Sequence, residues 1–287
     1  MNPFTTLPED NLKNYLFIYC GPESCSVTEY LENSWVFYIK EDVDEFLEDI
    51  KRIRADKNRP IVLYDIGDDK SATQVFWSLK AAGFEKVKVL IGGSETLKNC
   101  EIEFVSGDPP QIKLAESPQF DLNYNLICTA QEFIKKNTTN CQLLNANIIA
   151  FDYHNPQGEL IPKNQLLNIF EFNGIKFEKN KDIIAYGYQA PLLGALLLYL
   201  GETKVSVILD TSRSSTTIRR SFAMTNKSNF YSVAQTEYFD AEDQNIDILS
   251  TTDPSEQHYM IPRMTQKQSK DPEGHRDSTS CSSCSLL

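Results

Sequence analysis

The sequence predicts an α/β protein of two similar domains in tandem, each a parallel sheet flanked by helices, with a disordered C-terminal tail. Two stretches carry this prediction: "RPIVLYDIGDDKSATQVFWSLKAAGFEKVKVLIGG" and "DIIAYGYQAPLLGALLLYLGETKVSVILDTS". Each runs strand, loop, helix, glycine, strand, which is the order of a βαβ unit with parallel strands. Because the same order occurs twice, the chain is expected to contain an internal repeat.

In the first stretch, the continuous apolar run Ile61–Tyr64 predicts a strand covered on both faces of the sheet. Ser71 is predicted to be the N-cap of the helix that follows. Gly83 stands where a helix commonly ends. Val87–Ile91 predicts the next strand, which a pair of glycines terminates.

In the second stretch, Ile183–Tyr186 predicts the strand, a strongly apolar helix extends to about Leu200, and Val205–Leu209 predicts the closing strand. A loop between a buried strand and a helix N-terminus is where α/β proteins place a nucleophile or bind an anion. This loop contains no Cys, Ser, Asp, Arg, Lys or His. The sequence therefore predicts the strand, loop and helix of an active site without the side chains that would carry out a reaction.

Helices are also predicted from "EDVDEFLEDIKRIRADK" and "PKNQLLNIFEFNGI", one ahead of each stretch, and "TAQEFIKKN" is predicted to open the second domain. A Pro- and Asp-rich segment between the stretches reads as a linker. The predicted organisation is a first domain at residues 1–113, a linker at 114–125, a second domain at 126–223 and a mostly disordered tail at 224–287.

The formal net charge of -12 argues against a general nucleic-acid-binding protein, because phosphates would be repelled. Seven cysteines at irregular spacing do not form a disulfide framework and favour a reducing compartment. The sequence shows no secretory signal, and its longest apolar run is too short to span a bilayer. A cytoplasmic location is expected.

The paired stretches resemble the tandem rhodanese family, which includes thiosulfate and 3-mercaptopyruvate sulfurtransferases. "VLYD" followed by "SATQVFWSLKAAGFEKVKVLIGG" resembles the non-catalytic N-terminal domain of that family, with Asp65 at the position that holds Cys in the catalytic domain. "NPQGELIPKNQLLNIFEFNGI" and "VSVILDTS" resemble segments of the catalytic domain that flank the active-site loop. The resemblance spans roughly Leu12 to Phe222 and implies the rhodanese fold.

The resemblance also implies a degenerate active site. Sulfur transfer in the family needs a thiolate that accepts a sulfur atom inside a cradle of backbone N–H groups. Gly187 occupies the position of that nucleophile here, so no catalytic residue is assigned. Asn147 replaces an arginine that holds the substrate anion in the family. The degenerate loop consists of Gly187, Tyr188, Gln189, Ala190, Pro191 and Leu192, and Pro191 removes one N–H donor.

Other chemistry is limited in this sequence. The three histidines share no ligand spacing with cysteines or carboxylates, so neither a metal site nor a cofactor is predicted. Cys20, Cys128 and Cys141 are interpreted as structural thiols. A reactive role for one of them remains the alternative.

The last four residues, Cys284 to Leu287, fit a C-a-a-X prenylation signal with Leu in the final position. Cys281 is the candidate for a second lipid, which would make membrane attachment stable. These residues predict attachment to the cytosolic face of a membrane.

The leading hypothesis is a catalytically inactive rhodanese-like protein that acts as a binding or scaffold module for a protein partner and is lipid-anchored to a membrane. One alternative is an active sulfurtransferase of the thiosulfate or 3-mercaptopyruvate type that uses a non-standard cysteine. The other is a soluble structural subunit of a larger assembly, with the tail buried in a partner.

Overall fold

The structure, a computed structural model, describes residues 2–6, 14–24, 27–99, 102–129, 141–146, 151–155, 159–178, 181–209 and 230–231. Both sheets of the protein belong to one compact unit, Met1–Thr236. The predicted helix in "TAQEFIKKN" lies outside the described residues. So does the predicted tail, apart from the backbone of residues 230–231.

The first sheet is entirely parallel, because every connection between its strands crosses over rather than turning back. Its strands are β1 (Phe4–Thr5), β2 (Leu16–Pro22), β4 (Trp35–Ile39), β5 (Ile61–Tyr64) and β6 (Val87–Leu90). Their spatial order is β1-β6-β5-β2-β4. A separate antiparallel pair consists of β3 (Glu29–Leu31) and β7 (Phe104–Ser106).

The second sheet is also parallel throughout. Its strands are β8 (Ile127–Cys128), β9 (Cys141–Asn145), β10 (Asp182–Tyr186), β11 (Val205–Ile208) and β12 (Phe230–Tyr231). Their spatial order, β8-β11-β10-β9-β12, repeats that of the first sheet strand for strand. This equivalence confirms the predicted α/β class and the internal repeat. We call the two halves the first and second repeat.

Five helices are present in the described part of the chain: α1 (Val43–Arg52), α2 (Lys70–Ala81), α3 (Gly93–Asn99), α4 (Lys163–Phe172) and α5 (Ala190–Leu200). The helix predictions before each βαβ stretch are confirmed by α1 and α4. The side chain of Asp42 caps α1 by accepting from the Glu45 N–H at 3.0 Å. Gly83 and Gly201 follow α2 and α5 with φ of 88° and 111°, which are conformations that glycine adopts easily.

Two details differ from the sequence predictions. The N-cap of α2 is Asp69 rather than Ser71, which lies inside the helix. The glycine pair after β6 does not only end that strand, since Gly93 begins α3. The two-residue strand β12 pairs with β9 and lies inside the range 224–287, which the sequence predicts to be a mostly disordered tail.

The two repeats pack through α2 and α5, the helices that follow the central strands β5 and β10. Gly194 allows this contact, since a Cβ atom there would lie 2.9 Å from Cζ2 of Trp77 and 2.6 Å from Cγ1 of Val207. Trp77 is 1% exposed and belongs to the one large cluster of buried apolar side chains that spans both repeats. The loops that precede α2 and α5 are therefore held near the junction.

Candidate functional site

The loop between β5 and α2 forms a cradle of backbone N–H groups around the carboxylate of Asp65. The N–H groups of Gly67 and Asp69 donate to Oδ1 of Asp65 at 2.9 and 3.2 Å, and that of Ala72 donates to Oδ2 at 3.1 Å. Asp65 is 1% exposed. The protein's own carboxylate thus occupies the anion-binding position at the end of this strand and the start of this helix.

Burial, followed by the nearby charge of Asp68, raises the pKa of Asp65 to about 7. The three N–H donors oppose this shift because they stabilise the ionised carboxylate. Among the described residues, no lysine or arginine forms an ion pair with Asp65. Asp65 is consequently a buried acid that titrates near neutrality.

A second buried carboxylate, Asp69, connects the two repeats. Its Oδ1 accepts from the Gly92 N–H at 2.8 Å, and its Oδ2 accepts from the hydroxyl of Tyr153, in the second repeat, at 2.9 Å. Asp69 has φ of 54°, in the left-handed region that Asp tolerates better than most residues. Burial, followed by the charge of Asp65, raises the pKa of Asp69 above its usual range.

The glycine pair after β6 is required by this arrangement. Gly92 and Gly93 have φ of 68° and 45°. A Cβ atom on Gly93 would overlap the backbone of Asp65. The two glycines therefore let the chain pass directly over the cradle.

The corresponding loop of the second repeat is shorter, and two N–H groups at its end already donate hydrogen bonds to carbonyl oxygens of the chain. Only Gly187, Tyr188 and Gln189 separate β10 from α5, whereas five residues separate β5 from α2. The Gln189 N–H donates to the carbonyl oxygen of Ala146 at 2.7 Å, and the Ala190 N–H donates to that of Gly187 at 3.1 Å. These two donors do not point into an open cradle.

The six residues of the predicted degenerate loop are consecutive in sequence, and the structure places them at the carboxyl end of β10. Ala190, Pro191 and Leu192 are buried in the first turn of α5, and Gly187 has φ of 106°. Tyr188 is half exposed. Asn145 is buried at the end of the neighbouring strand β9, while Asn147 lies outside the described residues.

Cys20 does not have the environment of an activated thiol. Burial, followed by the charge of Asp65, raises the pKa of Cys20 well above its usual range, and its Sγ lies 3.7 Å from the carbonyl oxygen of Ile18. Cys128 is fully buried, and Cys141 is partly exposed. Cys281 and Cys284 lie outside the described residues.

A cleft of about 310 Å³ opens at the carboxyl ends of β2 and β5 in the first repeat. Its lining includes Cys20, Asp65 and the buried residue Gln74, together with Tyr188 from the second repeat. Sequence reasoning missed the place of Gln74 and Tyr188 in this cleft. Gln74 reads as an ordinary helix residue, and the contribution of Tyr188 depends on how the repeats pack.

The described residues contain no group of three His, Cys, Asp or Glu side chains arranged to hold a metal ion. In the same part of the chain, no helix combines the length and the apolar character needed to cross a membrane.

Comparison with known proteins identifies the fold. Residues 22–100 match the family model of the rhodanese-like domain. No curated protein matches the sequence significantly. Among solved structures, SseA from Escherichia coli, described with the rhodanese fold and the catalytic mechanism of 3-mercaptopyruvate sulfotransferases, is 16% identical. It aligns over 70% of this chain and 92% of its own, with a TM-score of 0.53.

Two further structures are similar over a larger part of this chain. YnjE is 13% identical over 77% of this chain and 63% of its own, with a TM-score of 0.56. Wild-type EanB is 12% identical over 82% of this chain and 70% of its own, also with a TM-score of 0.56. Likeness at these identities establishes architecture rather than activity. The chain therefore has the rhodanese fold, and its residues 22–100 form a rhodanese-like domain.

Proposed function

We propose that this chain is a rhodanese-fold protein that does not transfer sulfur and acts as a binding or scaffold module. One observation carries the proposal: both strand-end positions where this fold would hold a nucleophile lack a thiol. Asp65 fills the first cradle with its own carboxylate, which accepts three backbone N–H groups. Gly187 occupies the second position, in a loop closed by the contact between Gln189 and Ala146.

The chemical reason is that a persulfide forms only on a sulfur nucleophile. One EanB structure carries a cysteine persulfide together with ergothioneine, and that protein supplies the thiol such chemistry requires. A carboxylate cannot hold a sulfur atom as a persulfide, and glycine has no side chain. Cys20 is the thiol that lines the cleft, but its raised pKa keeps it protonated and poorly nucleophilic near neutral pH.

The proposal is tested by measuring the intact mass of the purified full chain before and after incubation with thiosulfate or 3-mercaptopyruvate. SseA serves as the active control. We expect no added sulfur on this chain under conditions that load the control. A sulfur adduct on Cys20, Cys128 or Cys141 that a thiol acceptor removes would refute the proposal and support a sulfurtransferase with a non-standard cysteine.

The proposal includes a cytosolic location with a lipid anchor on Cys284, and a second lipid on Cys281. It rests on the sequence "CSLL" and on the rule that two lipids hold a protein stably to a bilayer. The test is the intact mass of protein isolated from its own cells, compared between wild type and Cys284→Ser. A prenyl mass present only in wild type supports the anchor. An unmodified wild-type mass refutes it and favours the soluble structural subunit.

A further inference from the structure

The side-chain amide of Gln74 is buried and has no hydrogen-bond partner among the described residues. Gln74 lies in the second turn of α2, is 6% exposed and lines the cleft of the first repeat. Its backbone carbonyl accepts from Ser78, but no described residue contacts its amide group through a hydrogen bond. Buried polar groups are rarely left unpaired, because removing them from water without replacement costs stability. The expected partner of this amide is therefore a polar group of a molecule that enters the cleft from solution.

The dimensions and walls of the cleft suit a small molecule. Its volume of about 310 Å³ is at the lower end of the range of ligand pockets. Part of the lining is aliphatic, and consists of Pro22, Ile39, Val43 and Ile66. A ligand with a short aliphatic chain would bury that chain here while its polar end contacts Gln74.

The charges around the cleft favour a cation. Lys40 is already paired with Asp49 at 3.1 Å and with Glu45 at 3.5 Å. Lys70 is the other lysine of the lining, which also contains the carboxylates of Glu41 and Asp68. Asp65 adds a further, partial negative charge, because its raised pKa leaves it only partly ionised near neutral pH. The cleft therefore has an excess of negative charge, which disfavours anions such as thiosulfate or a 2-oxo acid.

Within the protein, an ammonium group already contacts an aromatic side chain of the cleft lining. Nζ of Lys70 lies 3.0 Å from the centroid of the Tyr188 ring, in a cation–π contact between the two repeats. Lys70 reaches this ring from the first turn of α2. An external ammonium of similar size could take the same place.

We propose that the cleft binds a small organic cation that combines a primary ammonium, a carboxamide and a short aliphatic chain. The ammonium lies among Tyr188, Asp68 and Glu41, and the carboxamide pairs with Gln74, whose amide offers both a donor and an acceptor. This inference rests on the proposed non-catalytic function, because it assigns that function a site and a ligand class.

Three probes that share one carbon skeleton test the ligand class: leucinamide (cationic), 4-methylpentanamide (neutral) and 4-methyl-2-oxopentanoate (anionic). Their binding to the full chain is measured by calorimetry or by shifts of the Gln74 side-chain amide signals. We expect leucinamide to bind roughly tenfold more tightly than the neutral amide, and the anion not to bind measurably. Equal binding of all three, preference for the anion, or no binding of leucinamide at millimolar concentration would overturn the inference.

Two variants test the roles of the residues. Gln74→Leu keeps the size of the side chain and removes the amide, so leucinamide affinity should fall roughly tenfold while the fold stays at least as stable. Gln165→Leu, the same change at an exposed position of α4, should leave affinity unchanged. Lys70→Met removes the competing ammonium and one positive charge, so affinity for leucinamide should rise. Lower affinity in Lys70→Met, or unchanged affinity in Gln74→Leu, would refute the proposed contacts.

The two proposals fail in different ways. Absence of leucinamide binding together with absence of a sulfur adduct refutes only the ligand assignment. Binding of the anionic 2-oxo acid together with a sulfur adduct from 3-mercaptopyruvate refutes both.

Discussion

Trp77 in α2 donates its indole N–H to the carbonyl oxygen of Pro191 in α5, at an N···O distance of 2.9 Å. The two residues are 114 positions apart, and each lies on the helix that follows the central strand of its repeat. Pro191 belongs to the degenerate loop predicted from sequence. A residue that weakens an anion cradle by lacking an N–H group thus supplies a carbonyl oxygen to the junction between the repeats.

Trp77→Phe should destabilise the fold by about 1–2 kcal/mol, because it removes a buried hydrogen bond and part of a buried ring. The measurement is urea unfolding followed by circular dichroism. The other tryptophan of the chain provides the matched control: Trp35 is only partly buried, and no hydrogen bond from its indole to a described residue is present. An equal loss in Trp35→Phe would show that the contact with Pro191 contributes nothing specific.

Gly194→Ala should destabilise the protein by about 1–3 kcal/mol, the range typical of overpacked cores. The added methyl group would lie 2.6 Å from Val207 and 2.9 Å from Trp77, which is too close for either neighbour to remain in place. At an exposed helix position, the same change would instead stabilise by up to about 1 kcal/mol. The sign of the change in the free energy of unfolding therefore distinguishes a tightly packed position from an exposed one. A stabilised variant would contradict the close contact between α2 and α5.

The repeat architecture was predictable because its signals are local. Apolar runs of four or five residues mark the buried strands, and glycines such as Gly83 and Gly201 mark the helix ends. The cradle was not predictable in the same way. Ser71 reads as a good cap, but the buried contacts of Asp69 with Gly92 and Tyr153, 23 and 84 residues away, fix the start of α2 instead. Such contacts depend on tertiary packing.

The same distinction between local sequence signals and tertiary contacts applies to the candidate site. Residue type alone showed that Asp65 and Gly187 cannot serve as sulfur nucleophiles. The different states of the two loops required coordinates. The first loop is a cradle filled by the carboxylate of Asp65, and the second is a short turn whose Gln189 N–H bonds to Ala146. The lack of a partner for the Gln74 amide among the described residues also depends on tertiary packing, and the sequence pattern does not indicate it.

Stability should fall as the pH rises between about 4 and about 7. Burial raises the folded-state pKa of Asp65 to about 7, whereas an unfolded Asp titrates near 3.9. The folded state therefore binds more protons across this interval, and a contribution that is complete at low pH is lost as the pH rises through the folded pKa. Each pH unit within the interval changes the free energy of unfolding by about 1.4 kcal/mol for one such group.

The measurement is urea unfolding of wild type and Asp65→Asn at about pH 5 and about pH 8. Wild type should be more stable at the lower pH. The variant should lose the part of that difference that Asp65 contributes and retain the part that Asp69, whose pKa is also raised, contributes with the same sign. Equal wild-type stability at the two pH values would contradict the assignment of Asp65 as a buried acid with a raised pKa.

Replacing each strand-end residue with cysteine should reveal how different the two loops are. Asp65→Cys places a thiol where the N–H groups of Gly67, Asp69 and Ala72 converge, whereas Gly187→Cys places one where the Gln189 N–H already bonds to Ala146. Because N–H donors stabilise a thiolate, Asp65→Cys should react with iodoacetamide about tenfold faster than Gly187→Cys near neutral pH. The rates are followed by peptide mass spectrometry, with the buried Cys20 of the same molecule as an unreactive internal reference.

Two controls separate the cradle from other causes in this comparison. Thermal unfolding checks that Gly187→Cys is folded, since its φ of 106° strains any residue with a Cβ atom. Adding Asp68→Asn to Asp65→Cys should increase the rate further, because the charge of Asp68 opposes ionisation at this position. If the folded Gly187→Cys variant reacted as fast as Asp65→Cys, the first loop would not be the better anion cradle. Asp65 would then be a buried acid in a loop that gives a thiolate no special stabilisation.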